Sequence, residues 1–224
     1  PHPPATTIFV DASNPATGTG TAENPFSSIQ DAIDAATQGD VVGVAAGTYT
    51  ETLVLAPDVV VLGSGAATTT LDSGGAAPAV EFADRATFAG FRVTGVTQWG
   101  NAVQGGDVTD AVLRDNEISG NEARAVAFGG STGIIQRNRI AANPTFTGPP
   151  THCPCDGVVL SRSAMSLIEN EIDGNDPNGN VRAVEITQAT PSWPGPVRIE
   201  RNEIVGRIWF SSVTAPPAGE HRVQ

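Results

Sequence analysis

The stretch Asp115-Asn116-Glu117-Ile118-Ser119-Gly120-Asn121 recurs along the chain and decides the fold. Later copies begin at Arg137, Glu169 and Arg201, and each keeps Asn at its second position and Ile at its fourth. The repeated Asn residues stand at positions 116, 138, 170 and 202, which are 22, 32 and 32 residues apart. A repeat of roughly two dozen residues, lengthened by inserts in some copies, predicts a solenoid of stacked coils.

A short apolar strand precedes each copy. Strand alternation turns every second side chain to one face, which should form the interior of the stack. A second strand leads into each Asn and a third follows it, so each coil should hold three short strands, with coils about 4.8 Å apart. We therefore predict an all-β, single-stranded parallel β-helix. Its inner row should contain Val80, Phe82, Val126, Phe128, Val158, Leu160, Val184, Ile186, Ile208 and Phe210.

The repeated asparagines have a structural explanation. Asn tolerates a left-handed bend between two strands. When such residues stack in register, their amides can hydrogen-bond one another along the stack. We expect this ladder to contain Asn116, Asn138, Asn170 and Asn202, with a second ladder at Asn121, Asn143 and Asn175, so none of these residues is a ligand candidate.

The N-terminal part differs from the repeats. Residues 24–36 predict an amphipathic helix, with Pro25 in its first turn and an apolar stripe of Phe26, Ile29, Ile33 and Ala36. Such a helix covers the open end of a solenoid. We predict one domain over residues 1–224: an N-terminal strand and capping helix in 1–40, coils in 41–214, and a C-terminal tail in 215–224.

The charge balance excludes several partners. The formal net charge is −12, from 24 acidic and 12 basic residues, and every basic residue is Arg. Nucleic acid needs a basic face, so we expect no nucleic-acid partner, and acidic polysaccharides should be repelled unless Ca²⁺ bridges them. No apolar run has the length of a membrane span, and no signal peptide is visible. An extracellular or cell-surface location is inferred from composition and fold type.

The N-terminal residues resemble a known family. Phe9-Val10-Asp11, the segment 18–26 and Ala46-Gly47-Thr48-Tyr49 are similar to the N-terminal cap of right-handed parallel β-helix proteins of the pectate-lyase-like superfamily. The Asn-x-Ile copies resemble the degenerate PbH1-type repeats of that group. The resemblance implies a right-handed helix of coils. It implies no single activity, because the superfamily includes lyases, glycoside hydrolases, tailspikes and adhesins.

Candidate catalytic residues follow from comparison with that superfamily, whose lyases use a Lys or Arg base, often with Ca²⁺ held by clustered Asp. Here the matching outer face reads Glu81, Gln104, Ala127, Val159, Glu185 and Trp209. Its aliphatic middle suits proton abstraction poorly. Asp156 and Glu185 remain as a carboxylate pair, with solvated charges as the alternative. The full candidate set is Asp156, Arg162, Arg182, Glu185 and His152. We expect no cofactor, with Ca²⁺ along the acidic stripe Glu117, Glu171 and Glu203 as the alternative to pairing with Arg114, Arg137 and Arg201.

Three tryptophans and two cysteines stand out. Trp99, Trp193 and Trp209 are candidates for stacking on sugar, for contacting a protein partner, or for local packing. Cys153 and Cys155 lie in His152-Cys153-Pro154-Cys155-Asp156 and are interpreted as disulfide-forming, within or between chains. A partial Zn²⁺ site and free thiols are the alternatives.

Two classes of function remain. The favoured hypothesis is an exported non-enzymatic β-helix that serves as a surface, adhesive or self-assembling unit. Its motive is the end of the chain, where no amphipathic helix follows Phe210, so another copy stacked on the end coil is the expected partner. The alternative is a polysaccharide lyase or glycoside hydrolase, or a non-catalytic glycan-binding module, with surface glycans as partners.

Overall fold

The computed structural model describes residues 5–14, 17–97, 99–141, 156–174, 182–188 and 197–212. Over these residues the chain passes repeatedly through three parallel sheets, with one strand in each sheet per coil. This is the predicted all-β parallel β-helix. One short helix, α1, lies among the described residues.

The three sheets are named here in the order in which each coil visits them. Sheet I contains β1 Thr7–Val10, β2 Val41–Val44, β5 Val60–Gly63, β8 Thr87–Ala89, β11 Ala111–Arg114, β14 Thr132–Gln136, β17 Ala164–Ile168 and β20 Ile199–Glu200. Sheet II contains β3 Gly47–Thr50, β6 Thr69–Gly75, β9 Arg92–Val96, β12 Glu117–Ile118, β15 Arg139–Ala141, β18 Glu171–Asp173 and β21 Glu203–Val205. Sheet III contains β4 Leu53–Val54, β7 Val80–Glu81, β10 Asn101–Gly106, β13 Arg124–Gly129, β16 Val158–Ser161, β19 Arg182–Gln188 and β22 Arg207–Ser212.

The core consists of apolar rows that run along the stack. Strand register places Leu113 against Ile135 and then Leu167 in sheet I, and Ile140 against Ile172 in sheet II. All five side chains are fully buried. Such rows arise because parallel register stacks like positions of successive coils on one another.

The predicted inner row of sheet III is buried in all but its last coil. Val80 through Ile186 are buried, whereas Ile208 is only partly buried and Phe210 is 51% exposed. Both lie on β22, the last strand of sheet III among the described residues, so no described strand packs beyond them. Phe210 keeps the predicted inner register on Ile186, and its exposure reflects the lack of a described coil above it.

The corner at each repeated Asn carries a hydrogen-bonded ladder. The Asn138 Oδ1 accepts from the Nδ2 of Asn116 at 3.1 Å and from its backbone N–H at 3.0 Å. Asn170 and Asn202 continue the same pattern, with Nδ2–Oδ1 distances of 3.1 and 2.9 Å. Each Nδ2 also donates to a backbone carbonyl of the preceding coil. The amides therefore satisfy buried backbone groups of neighbouring coils.

The left-handed residue at this corner is the one before Asn, contrary to the sequence interpretation. Positive φ angles of 58°, 52°, 56° and 54° belong to Asp115, Arg137, Glu169 and Arg201. The bend comes one residue early because the Asn side chain must turn inward to reach its neighbours. The left-handed position is thus left to a side chain that points to solvent.

Helix α1 spans Ile29–Ala35 and is shorter than predicted. Its start is set by Phe26, whose N–H donates to the carbonyl of Phe9 and whose carbonyl accepts from Asp11, so this residue belongs to strand pairing. The Glu51 carboxylate accepts the N–H groups of Ile29 and Gln30, each at 2.9 Å. The helix buries its apolar face against the first coil.

No helix within the described ranges has the length and apolar character that a bilayer crossing requires.

Candidate functional site

The outer face of sheet III carries two rows of side chains instead of one. In β10, outward Asn101 is followed by buried Ala102 and Val103 before Gln104 turns outward again. The same spacing recurs in β13 and β19. Two consecutive buried residues place outward residues three positions apart, so each such strand contributes twice to the face.

We call the two rows the floor row and the edge row. Strand register defines the floor row, whose members after Val54 are the outer face predicted from the sequence: Val54, Glu81, Gln104, Ala127, Val159, Glu185 and Trp209. The edge row lies at the start of the strands and contains Asn101, Arg124, Asp156, Arg182 and Arg207. Sequence reasoning found the floor row and missed Asn101 and Arg124. The signal was present as pairs of apolar residues before each outward position.

An open groove of about 370 Å³ lies over β7, β10, β13 and β16. Small residues make this space, since Ala127 and Gly129 line its floor. A Cβ added at Gly106 would meet no atom within 4 Å. The groove is therefore a surface depression of open, polar-edged form.

At one end of the groove a chain of polar side chains has a fixed direction. Asn101 Nδ2 donates to Gln104 Oε1 at 2.8 Å, and Gln104 Nε2 donates to Glu81 Oε2 at 3.4 Å. Because a carboxylate only accepts, Glu81 sets the direction of the whole relay. The relay leaves the Oδ1 of Asn101 as an acceptor that has no hydrogen-bond partner among the described residues.

Asp156 lies in the edge row and links three coils. Its Oδ1 accepts the backbone N–H of Arg182 at 3.0 Å, and its Oδ2 lies 3.9 Å from Nε of Arg124. Burial raises the pKa of the Asp156 carboxyl, and nearby Glu185 adds to this. The hydrogen bond from Arg182 and the charges of Arg182 and Arg124 act in the opposite sense without cancelling the rise. Asp156 therefore keeps its proton to higher pH than an ordinary aspartate.

Arg182 contacts both Glu185 and an aromatic side chain. Its Nη1 lies 2.6 Å from Glu185 Oε2, and its Cζ lies 5.2 Å from the centroid of the Trp209 ring. A β-bulge falls between Arg182 and Val184, where β19 pairs with β22. Bulges re-aim side chains, and this one sets Arg182 beside both partners. Trp209 is 44% exposed and presents an aromatic surface on the same face.

The structure brings together only some of the predicted site residues. Asp156, Arg182, Glu185 and Trp209 form one cluster. Trp99, 64% exposed, lies in the chain just before β10. Arg162 lies in the turn after β16 with φ of 50°, apart from that cluster. Four other candidates lie outside the described residues: His152, Cys153, Cys155 and Trp193.

The acidic stripe on sheet II is paired differently from the prediction. Arg139 lies 3.8 Å from Glu117 and 3.3 Å from Glu171. The arginines expected to pair with this stripe pair with corner acids: Arg114 and Arg137 with Asp115, and Arg201 with Glu169. In the part of the chain that the structure describes, no cluster of three or more potential metal ligands is present.

The coils and the three parallel sheets define the fold as a right-handed parallel β-helix, which solved structures of a rhamnogalacturonan lyase and a pectin methylesterase share. No protein-family model and no curated protein matches the chain.

Three solved structures that share this fold are, by their names, a lyase and two pectin methylesterases. A rhamnogalacturonan lyase superposes with a TM-score of 0.55 at 13% identity, over 89% of this chain and 67% of its own. The pectin methylesterase PemA from Erwinia chrysanthemi gives 0.54 at 12%, over 88% of this chain and 66% of its own. The pectin methylesterase from Aspergillus niger gives 0.53 at 13%, over 95% and 91%. At these identities the likeness establishes the fold alone.

Proposed function

We propose that this protein is a polysaccharide-active enzyme that binds a glycan chain along the outer face of sheet III and hydrolyses it at the Asp156–Glu185 cluster. The carrying observation is the position of Asp156, whose pKa is raised by burial, beside a second carboxylate and two arginines. Solved structures of polysaccharide lyases and pectin methylesterases share the fold, which supports this class over a non-enzymatic one. A polymer substrate of this kind also favours an extracellular location.

The chemistry follows from two unlike carboxyl groups. Glycoside hydrolysis needs one carboxylic acid that protonates the glycosidic oxygen. It also needs one carboxylate that either attacks the sugar carbon or activates the attacking water. Asp156 is the proton donor, because burial keeps it protonated to higher pH. Glu185, ion-paired with Arg182, is the carboxylate.

Trp209 supplies the binding surface next to these groups. An exposed indole offers an apolar face to a sugar ring while its N–H stays available for a hydrogen bond. Arg182 packs against this ring and limits its rotation. Farther along the same face, beyond Glu185, the groove with its floor of small side chains lets a glycan approach the backbone of sheet III.

The test is release of reducing ends from a panel of polysaccharides. D156N should lower kcat by about 10²-fold or more, which is the usual contribution of a general acid. The wild-type rate should fall as pH rises through the pKa of Asp156, since only the protonated acid donates. W209A should raise KM about tenfold with little change in kcat. E117Q, on sheet II, serves as the control and should match wild type. Full activity in D156N, or no turnover of any glycan by the wild type, would contradict the proposal.

A second candidate is a glycan-binding module without turnover. It is favoured by the hydrogen bond that the backbone N–H of Arg182, in β19, donates to Asp156. Because this bond joins two coils, the Asp156 carboxylate has a structural role that needs no catalysis. Glycan binding that W209A abolishes, without any reducing-end release, would select this reading. The enzymes that share the fold support a polysaccharide-active protein over the adhesive or self-assembling unit that the sequence favours.

A further inference from the structure

The charges around the groove favour one kind of glycan over another. This inference rests on the proposed function. Both arginines of the central edge row already have an acidic neighbour: Arg182 lies 2.6 Å from Glu185, and Arg124 lies 3.9 Å from Asp156. The Glu81 carboxylate at the other end accepts a hydrogen bond from the amide of Gln104 and has no ion pair with a cation of the described residues. Among the described residues that line the groove, the one cation, Arg124, lies beside an acid, and the Glu81 end has an excess of acid.

A glycan of uronic acids carries one carboxylate per sugar. Each would enter beside Glu81, Glu185 or Asp156, and like charges repel. The net charge of −12 acts in the same direction at longer range. The exposed Arg207 at the last coil is a single cation at one end of the edge row.

A hydrogen-bond relay holds Glu81 in place at this end of the groove. Gln104 Nε2 donates to Glu81 Oε2, and Asn101 Nδ2 donates to Gln104 Oε1. The Oδ1 of Asn101 and the Nε of Arg124 are buried and have no hydrogen-bond partner among the described residues, so they are not surface contacts for a ligand. The charged group that a ligand meets at this end is therefore Glu81.

We infer that the groove selects a neutral, hydroxyl-rich polysaccharide over a polyuronate, and that Glu81 sets this preference. Glu81 excludes carboxylates and orients the relay. Gln104 donates to Glu81 and holds its carboxylate at the groove. Neutral glycan binding should depend little on ionic strength, since no net charge is neutralised.

The experiment is affinity electrophoresis and calorimetry with xylan, galactan and glucomannan against polygalacturonate and alginate, with EDTA present throughout. Wild type should bind at least one neutral glycan, and its affinity for polyuronates should be weaker by at least about tenfold. E81K should raise polyuronate affinity about tenfold, whereas E203K, the same charge change on sheet II, should alter it by less than about twofold.

Each outcome decides the inference. Tight polyuronate binding by wild type that W209A abolishes would overturn the neutral-glycan preference and leave the proposed function standing. Equal gains in E81K and E203K would assign the discrimination to overall charge and overturn the role of Glu81. Failure of every glycan, neutral and acidic, to bind would remove the proposed function together with this inference.

Discussion

Replacing Asn138 by alanine should strip one step from the ladder that holds the coils in register. Asn138 is fully inside the stack, between Asn116 and Asn170. Its Oδ1 accepts the backbone N–H of Asn116 at 3.0 Å, and its Nδ2 donates to the carbonyl of Leu113 at 2.9 Å. Alanine has no side-chain donor or acceptor, so it satisfies neither group.

The magnitude follows from the two backbone groups that lose their partner. A buried polar group left without a hydrogen bond costs about 1–3 kcal/mol. Two such groups give a loss of about 2–6 kcal/mol, which is a large share of the roughly 5–15 kcal/mol that keeps a domain folded. The free energy of unfolding of N138A should fall by this amount.

Urea denaturation followed by circular dichroism measures the loss. Ser166, which faces outward on β17, provides the control, and S166A should stay within about 0.5 kcal/mol of wild type. N202A, at the less buried end of the ladder, should lose less than N138A and remain foldable. Amide exchange at Asn116 should accelerate in N138A, which reports the local bond directly. A loss below about 1 kcal/mol in N138A with unchanged exchange at Asn116 would refute the reasoning.

Three other predictions test the backbone and the first coil. Because Arg162 has φ of 50°, R162G should leave the free energy of unfolding unchanged or raise it by up to about 1 kcal/mol. S166G, within β17, should lower it by about 1 kcal/mol. Equal losses of the two variants in thermal or urea melts would contradict the left-handed conformation of Arg162. G133A should lower the free energy of unfolding by about 1–3 kcal/mol or more, because its Cβ would meet backbone atoms of the preceding coil. G106A, whose Cβ would meet open space, should unfold like wild type. Equal unfolding of the two variants would show that the coils can separate at Gly133. Hydrogen bonds from two threonines hold the pKa of Asp40 well below its ordinary value of 3.8, so its stabilisation is complete above that pH and is lost as pH falls below it. D40N should therefore be less stable than wild type at neutral pH and show a flatter loss of stability in acid, and an acid titration parallel to wild type would contradict this.

Period and alternation account for the part of the fold that was predictable. The Asn-x-Ile copies fixed the coil length, and alternation fixed which side chains of sheet III face inward, because parallel register repeats like positions from coil to coil. The helix start was wrong because a pairing partner distant in sequence, Phe9, takes the backbone of Phe26. Local pattern contains no information about such a partner.

The site was only half predictable for a similar reason. Glu185 and Trp209 follow from alternation, since they lie in the floor row. Arg124 and Asn101 do not, because two buried residues in succession break the period of two and return a second row to the surface. The link between Asp156 and Arg182 joins residues of different coils, and inserts of unequal length hide that register in the sequence.

Hydrogen–deuterium exchange in the presence of the best-binding oligosaccharide tests the central claim most directly. A glycan that lies along the outer face of sheet III should slow exchange in β13, β16, β19 and β22 and leave sheet II unchanged. W209A should lose this protection at the same oligosaccharide concentration. Protection confined to sheet I or sheet II, or no protection while the glycan is bound, would contradict the assignment of this face as the functional site.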